Sequence, residues 1–248
     1  MTRDWRRMFA WRRPDARVSS PEEPMPDAKK EPTFPRDEKI ERMEFLLSLK
    51  KRGISNAAVL RAMDSVPREQ FVLTEYAEAA YADSAMPIAC GQTISQPYVV
   101  AYMSEQLEVT REHRVLEVGT GSGYQTAVLG LLAGQVYSIE RYRTLADHAR
   151  DTLERLGHDN VTVVSGDGFH GLPEHAPYDR IMVTAAAEAI PEALTDQLSE
   201  DGILLLPLGA HDGAQRIVKV TVGQEGLVQQ DLLPVRFVPL LPGQAREL

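Results

Sequence analysis

The chemistry legible in this chain sits in a glycine run and a few acidic or hydroxyl side chains. Residues 114–124 read Arg-Val-Leu-Glu-Val-Gly-Thr-Gly-Ser-Gly-Tyr. Gly119, Gly121 and Gly123 set a turn in which backbone approaches a ligand with no side chain in the way. Glu117 stands just before that turn, where a carboxylate faces a cationic ligand and repels a pyrophosphate. Glu140 follows roughly 20 residues later, the place from which an acidic side chain accepts from both hydroxyls of a ribose. Asp167, between Gly166 and Gly168, is placed to accept from an adenine amino group; an Asx-turn is its competing reading.

A ribose site alone does not separate NAD from S-adenosylmethionine. The glycine spacing does, being G-x-G-x-G rather than G-x-G-x-x-G, and so does the charge of Glu117. S-adenosylmethionine carries a sulfonium and an ammonium and no phosphate, so the residues favour a methyl donor. Upstream, residues 90–97 read Cys-Gly-Gln-Thr-Ile-Ser-Gln-Pro. Taken without context, Ser95 there is a helix N-cap ahead of Pro97, and Cys90 is a small filler with nothing to activate its thiol. The histidines show no metal-ligand spacing, and no metal is expected.

Positioning these groups requires strands that end where they stand. The apolar run at 115–118 followed by a helical pattern at 124–132 makes a strand, a glycine turn and a helix N-terminus. Strands at 135–139, 161–164, 180–183 and 203–206 alternate with helices at 145–156 and 190–198. That alternation predicts an α/β fold: a Rossmann-like, doubly wound, mostly parallel sheet with helices on both faces. Strands at 216–222 and 227–238 are expected antiparallel at one edge. Helices at 37–51, 56–65, 75–81 and 97–108 precede the glycine turn and predict an N-terminal helical cap. In the first of them Ile40, Met43, Phe45, Leu46, Leu47 and Leu49 supply the apolar face. The expected organisation is a tail at 1–35 and one domain at 36–248, with cap and loop at 36–110 and the sheet at 111–248.

The chain has 248 residues, of which 43% are hydrophobic, enough for a full core. A net charge of −9 and the lack of a basic stripe argue against nucleic acid as a partner. A single cysteine fits a reducing cytoplasm. No apolar run reaches the ~18 residues of a spanning helix. Residues 1–35 mix arginines and prolines with little apolar surface, which predicts a mobile tail. Trp5, Met8, Phe9 and Trp11 among the arginines offer an alternative, a short amphipathic helix for an anionic membrane or a partner. Arg6-Arg7-Met8-Phe9 resembles a twin-arginine signal, but no apolar segment follows, so neither export nor stable membrane association is expected.

From about residue 37 onward the chain resembles the protein-L-isoaspartate O-methyltransferases. The resemblance rests on Val66-Pro67-Arg68-Glu69 with Phe71-Val72, on residues 91–97, on residues 117–125, and on Gly166-Asp167-Gly168. It extends to Val183-Thr184-Ala185-Ala186 and Arg236-Phe237-Val238-Pro239-Leu240. The family often has glycine where this chain has Cys90. The resemblance implies that Ser95 is the catalytic serine. It implies that Gln92, Thr93, Ile94 and Ser95, with Glu117, Gly119, Thr120, Gly121, Glu140, Asp167 and Gly168, hold S-adenosylmethionine. It also implies that the 93–95 loop and the region of Val238 enclose an isoaspartyl residue of a damaged protein. A monomer is expected. The rival readings are another carboxyl methyltransferase of the same fold and a non-catalytic adaptor that recognises damaged chains.

Overall fold

The computed structural model describes residues 38–223 and 226–245; the expected tail at 1–35 lies outside the described residues. The cap begins with α1 (Glu38–Lys51) and α2 (Ala57–Ser65), the latter capped by Asn56, whose side chain accepts from the backbone of Ala58 and Val59. Two-residue strands β1 (Met86–Pro87) and β2 (Thr93–Ile94) pair antiparallel around the 88–92 turn, and α3 (Pro97–Gln106) follows. The sheet then alternates β3 (Arg114–Val118), α4 (Tyr124–Leu132), β4 (Gln135–Glu140), α5 (Arg143–Arg155) and β5 (Val161–Ser165). It continues with β6 (Tyr178–Val183), α6 (Glu192–Thr195), β7 (Leu198–Leu208), β8 (Gln215–Gly223) and β9 (Gly226–Val235).

These strands make one seven-stranded sheet in the order β5-β4-β3-β6-β7-β8-β9. The first five pair in parallel and the last two are antiparallel. β3 and β6 lie side by side where the strand order reverses, and β3 is buried along all but its first residue. Alternation along β3 sends Leu116 and Val118 to one face and Val115 to the other. The Val115 face meets Leu129 of α4 and Met103 and Leu107 at α3. The opposite face is thinner. There the cover is short turns at 168–170 and 173–175, plus the single turn of α6.

Three expectations change. The helix foreseen at 190–198 is one turn, because β7 begins at Leu198, which pairs with Tyr178 of β6 and draws the chain straight. The segment at 75–81 winds as a 3₁₀ helix, Thr74–Ala79. In α1 only part of the expected apolar face is covered: Phe45 and Leu49 are buried, whereas Ile40, Met43 and Leu47 are 52%, 56% and 47% exposed. Phe45 stacks edge-on to Tyr81 and Arg42 donates to Asp64 O, so α1 is held along one narrow seam.

Leu116 is fully buried at the centre of the sheet. Leu116→Ala is expected to cost about 3 kcal/mol by leaving a cavity that parallel neighbours on both sides hold open. A drop in the urea midpoint at constant slope checks this; a midpoint within error of wild type refutes it.

Candidate active site

The site lies beyond the carboxyl ends of β3 and β6, at the reversal point where open α/β sheets bind ligands. As β3 ends, Gly119 N–H donates to Ile139 O at 2.8 Å and Thr184 N–H donates to Val118 O at 2.9 Å. Gly119 takes φ +100°, and a β-carbon there would collide with Thr184 Oγ1. That hydroxyl donates to the Gly119 carbonyl at 2.6 Å. Only glycine lets the turn lie this close against β6. Gly121 N–H then donates to Glu140 Oε2 at 2.8 Å, while Glu140 Oε1 accepts from Tyr142 N–H at 3.0 Å. Glu140 therefore pins the turn to the start of α5. Burial pushes its pKa above the usual carboxylate range, with the backbone donors pulling the other way.

Three adjoining cavities open here. The first is bordered by Gly119, Gly121, Glu140, Tyr142, Gly168 and Thr184, with Gln92 and Thr93 above and Val238 and Leu240 on its far side. The C-terminal segment reaches that wall because Ala186 N–H donates to Val238 O at 2.8 Å and Leu240 N–H to Ala186 O at 2.7 Å. The second cavity has Thr93, Ile94 and Ser95 on one side and Gly119, Thr120, Gly121 and Gln125 on the other. The third is an open groove between Ser95, Gln96 and Tyr98 and the strand end Val235, Arg236 and Phe237. Thr93 borders all three, and Ser95 borders the second and third.

Two acidic residues sit elsewhere than at the cavity wall. Glu117 shares the Val115 face of β3, which α3 and α4 cover. It is fully buried beneath the turn, its Oε2 accepting from Thr126 Oγ1 at 2.5 Å and Ser138 Oγ at 2.6 Å. Its Oε1 is buried with no hydrogen-bond partner. Desolvation raises its pKa to about 7, against the two hydroxyl donors. Asp167 closes an Asx-turn, accepting from Phe169 N–H at 3.0 Å, and it is Gly168 that borders the first cavity. A β-carbon at Gly168 would come within 2.6 Å of Val118 Cγ1.

Ser95 does not cap α3. The N-cap is Gln96, without a side-chain cap bond, and the Ser95 carbonyl accepts from Arg68 Nη2 at 2.8 Å. Cys90 takes φ 57° and ψ 24°, the left-handed conformation that glycine adopts freely. Sequence reasoning missed Thr184, Arg141, Tyr142 and Leu240 as cavity residues. The strand-end rule, applied to β6 as it was to β3 and β4, would have found Thr184.

The residues present fit an adenosyl ligand bearing positive charge. The glycine turn borders two of the cavities, and Glu117 beneath it keeps an orphaned carboxylate oxygen. Among the described residues the hydrogen-bond partners of Glu117 and Glu140 are hydroxyls and backbone N–H groups, and Arg141 is the cation that favours the charge on Glu140. Sheet order, glycine turn and acidic floor define a class I methyltransferase.

The family model described as protein-L-isoaspartate(D-aspartate) O-methyltransferase matches residues 40–245. A protein-L-isoaspartate O-methyltransferase of Bradyrhizobium sp. (strain ORS 278) is 58% identical over 209 residues, 84% of this chain and 97% of its own. One from Parvibaculum lavamentivorans is 51% identical over 209 residues, 84% of this chain and 94% of its own. A solved protein-L-isoaspartate O-methyltransferase superposes with a TM-score of 0.73 at 32% identity, covering 80% of this chain and 65% of that one. A Plasmodium falciparum structure described by the same activity, in complex with S-adenosyl-L-homocysteine, gives 0.71 at 27% identity, covering 81% of this chain and 98% of that one. The chain belongs to the protein-L-isoaspartate(D-aspartate) O-methyltransferase family.

The position of Glu117 has a measurable consequence. A carboxyl raised from 4.5 to about 7 holds its proton more tightly folded than unfolded. Its burial is therefore harmless below about pH 4.5 and subtracts stability as the pH rises through about 7. In the cofactor-free protein, Glu117→Gln is expected to gain on wild type between about pH 5 and pH 8, by up to roughly 3 kcal/mol. Urea melts at both pH values test this, and parallel trends in the two proteins rule it out.

Proposed function

We propose that this enzyme transfers the methyl group of S-adenosylmethionine to the free α-carboxylate of L-isoaspartyl residues in damaged proteins and peptides. Family membership supports the reaction. The observation that carries the residue assignment is the junction of three cavities at the 93–95 loop. In this reading the first cavity holds the adenosyl moiety, with Glu140 toward the ribose and Gly168 beside the base. The second takes the methionyl part between the glycine turn and Thr93–Ser95. The open groove past Ser95 takes the polypeptide, with Val238 closing the far side.

When bound, S-adenosylmethionine supplies an electrophilic methyl group on a cationic sulfur. The protein must then present a carboxylate oxygen in line with that methyl. An isoaspartyl residue has its backbone routed through the side-chain carbonyl, which leaves its α-carboxylate free. With a reference pKa of about 3.5 that group is ionised near neutrality, so no general base is required. Ser95, bordering both the inner cavity and the groove, donates its hydroxyl to orient the carboxylate. It is not read as a nucleophile, because no His or Asp is hydrogen-bonded to it among the described residues. The backbone nitrogen of the following residue then attacks the methyl ester without the enzyme, giving up its proton and expelling methanol to close a succinimide, and addition of water to that ring returns part of the damage to normal aspartate. A monomer working in the cytoplasm completes the reading; the single cysteine suits a reducing compartment, and no nucleic acid is involved.

Transfer of labelled methyl to an isoaspartyl peptide, with its normal-aspartyl twin left unlabelled, tests the substrate; equal labelling of the two sinks it. Ser95→Ala is expected to lower kcat about 10- to 100-fold while leaving the calorimetric affinity for S-adenosylmethionine within about twofold. Wild-type turnover by this variant would remove Ser95 from the mechanism. Glu140→Ala is expected to weaken cofactor binding by about 10-fold or more, since it also frees the turn. An unchanged Kd would refute that assignment.

A further inference from the structure

Arg68 is a buried charge that the mechanism above does not use. It follows Pro67 at the start of the 3₁₀ turn Arg68–Phe71 and is 0% exposed. Among the described residues no carboxylate forms an ion pair with it. Its Nε donates to Ala80 O at 2.8 Å and its Nη2 to Ser95 O at 2.8 Å. Its Nη1 is buried without a hydrogen-bond partner. The guanidinium carbon stands 4.6 Å from the centre of the Tyr124 ring, a cation–π contact. The Tyr124 hydroxyl itself is directed to Met63 Sδ at 3.9 Å.

Such a group is costly to bury, and its surroundings would accept an apolar side chain: Met63, Phe71, Ile94 and Tyr124 belong to one hydrophobic cluster. What the guanidinium gains is geometry. Tyr124 is the first residue of α4, directly after the glycine turn, and it borders the inner cavity opposite Ser95. One rigid planar fork thus ties the Ser95 peptide to the cap at Ala80 and rests on the ring that begins the opposing wall. Lysine cannot reproduce this, because its single ammonium nitrogen lacks the flat fork that meets two carbonyls while stacking on a ring.

We propose that Arg68 is a positioning residue for methyl transfer. By holding the Ser95 carbonyl and packing on Tyr124, it fixes the separation of the Ser95 loop from the glycine turn, and hence the aim of the Ser95 hydroxyl. The inference rests on the role given to Ser95 above. Because it acts through that hydroxyl, Arg68 sets kcat on isoaspartyl peptide. The adenosyl cavity is not bordered by Arg68, so the loss falls more heavily on kcat than on S-adenosylmethionine affinity, which the shared Ser95 wall of the inner cavity touches only in part.

A double-mutant cycle tests it, with rates normalised to the S-adenosylmethionine sites counted by calorimetry, so that a partly folded sample is corrected for. Arg68→Lys is expected to lower kcat about 10- to 100-fold, a larger factor than any rise in the Kd for S-adenosylmethionine. Arg68→Gln serves as a second variant: its amide nitrogen reaches only where the arginine Nε stands, at Ala80 O, so the Ser95 carbonyl loses its donor and kcat is expected to fall at least as far as in Arg68→Lys. In the Ser95→Ala background the effect of Arg68→Lys should shrink to less than about threefold. Two results overturn the proposal: wild-type kcat in both Arg68 variants, or the same fold-loss from Arg68→Lys with and without the Ser95 hydroxyl. Wild-type turnover by Ser95→Ala alone is a different outcome. It defeats the reading of Ser95, whatever the Arg68 variants do.

Discussion

The structure turns on a concentration of negative charge beneath a backbone turn. Glu117 and Glu140 are both buried, both raised in pKa by desolvation, and satisfied only by hydroxyls and backbone N–H groups. Glu140 raises the cost of ionising Glu117, whose other oxygen is unpaired, while Arg141 favours the charge on Glu140. A fold seeking stability alone would neutralise such a pair. Here the carboxylates lie beneath the glycine turn, where they would favour a cationic donor over a pyrophosphate.

The same turn couples charge to geometry. Gly119 lies against Thr184 at the end of β6, and Gly121 hangs from Glu140 at the end of β4, so three neighbouring strands fix one loop. The opposing wall, residues 93–95, belongs to the cap rather than to the sheet, and the two are joined by the Arg68–Tyr124 contact, by the bond from Gln125 to Ser104 and by one hydrophobic cluster that spans both.

Much of this was legible from residue types alone. The strands around Gly119 and the helices at 38–51, 57–65 and 97–106 follow from apolar periodicity and glycine placement, and packing did not override them. Where packing decided, the sequence was silent. Glu117 reads as a ligand-facing acid by its distance from the turn, yet period-two alternation sends it under α4 with Val115. The apolar pattern at 190–198 is equally good for strand or helix, and β6 settles it by pairing at Leu198. Asp167 shows both of its readings in one place, since the Asx-turn it closes is what presents Gly168 to the cavity. Arg68 looks like any exposed arginine after a proline; its burial depends on contacts with Ala80, Ser95 and Tyr124, at separations that no local pattern encodes.

Division of labour between sheet and cap also explains why so little catalytic apparatus is needed. A carboxylate ionised at neutral pH meeting a methyl on a cationic sulfur has charge attraction already in its favour, and the transition state disperses charge rather than creating it. Acid–base groups would add nothing to such a step, and an oxyanion hole would have no developing alkoxide to stabilise. What remains to be supplied is alignment and the exclusion of other nucleophiles. Alignment requires two walls at a fixed spacing. Exclusion requires that the groove admit a carboxylate only where the polypeptide is bent away from it, as an isoaspartyl linkage makes it. A normal aspartate has its carboxylate on a side chain and its backbone in the usual place, so in the proposed seating its chain would approach the groove in a different direction. In a site whose catalytic power is mostly placement, specificity for the misrouted backbone and acceleration of the transfer come from the same distances.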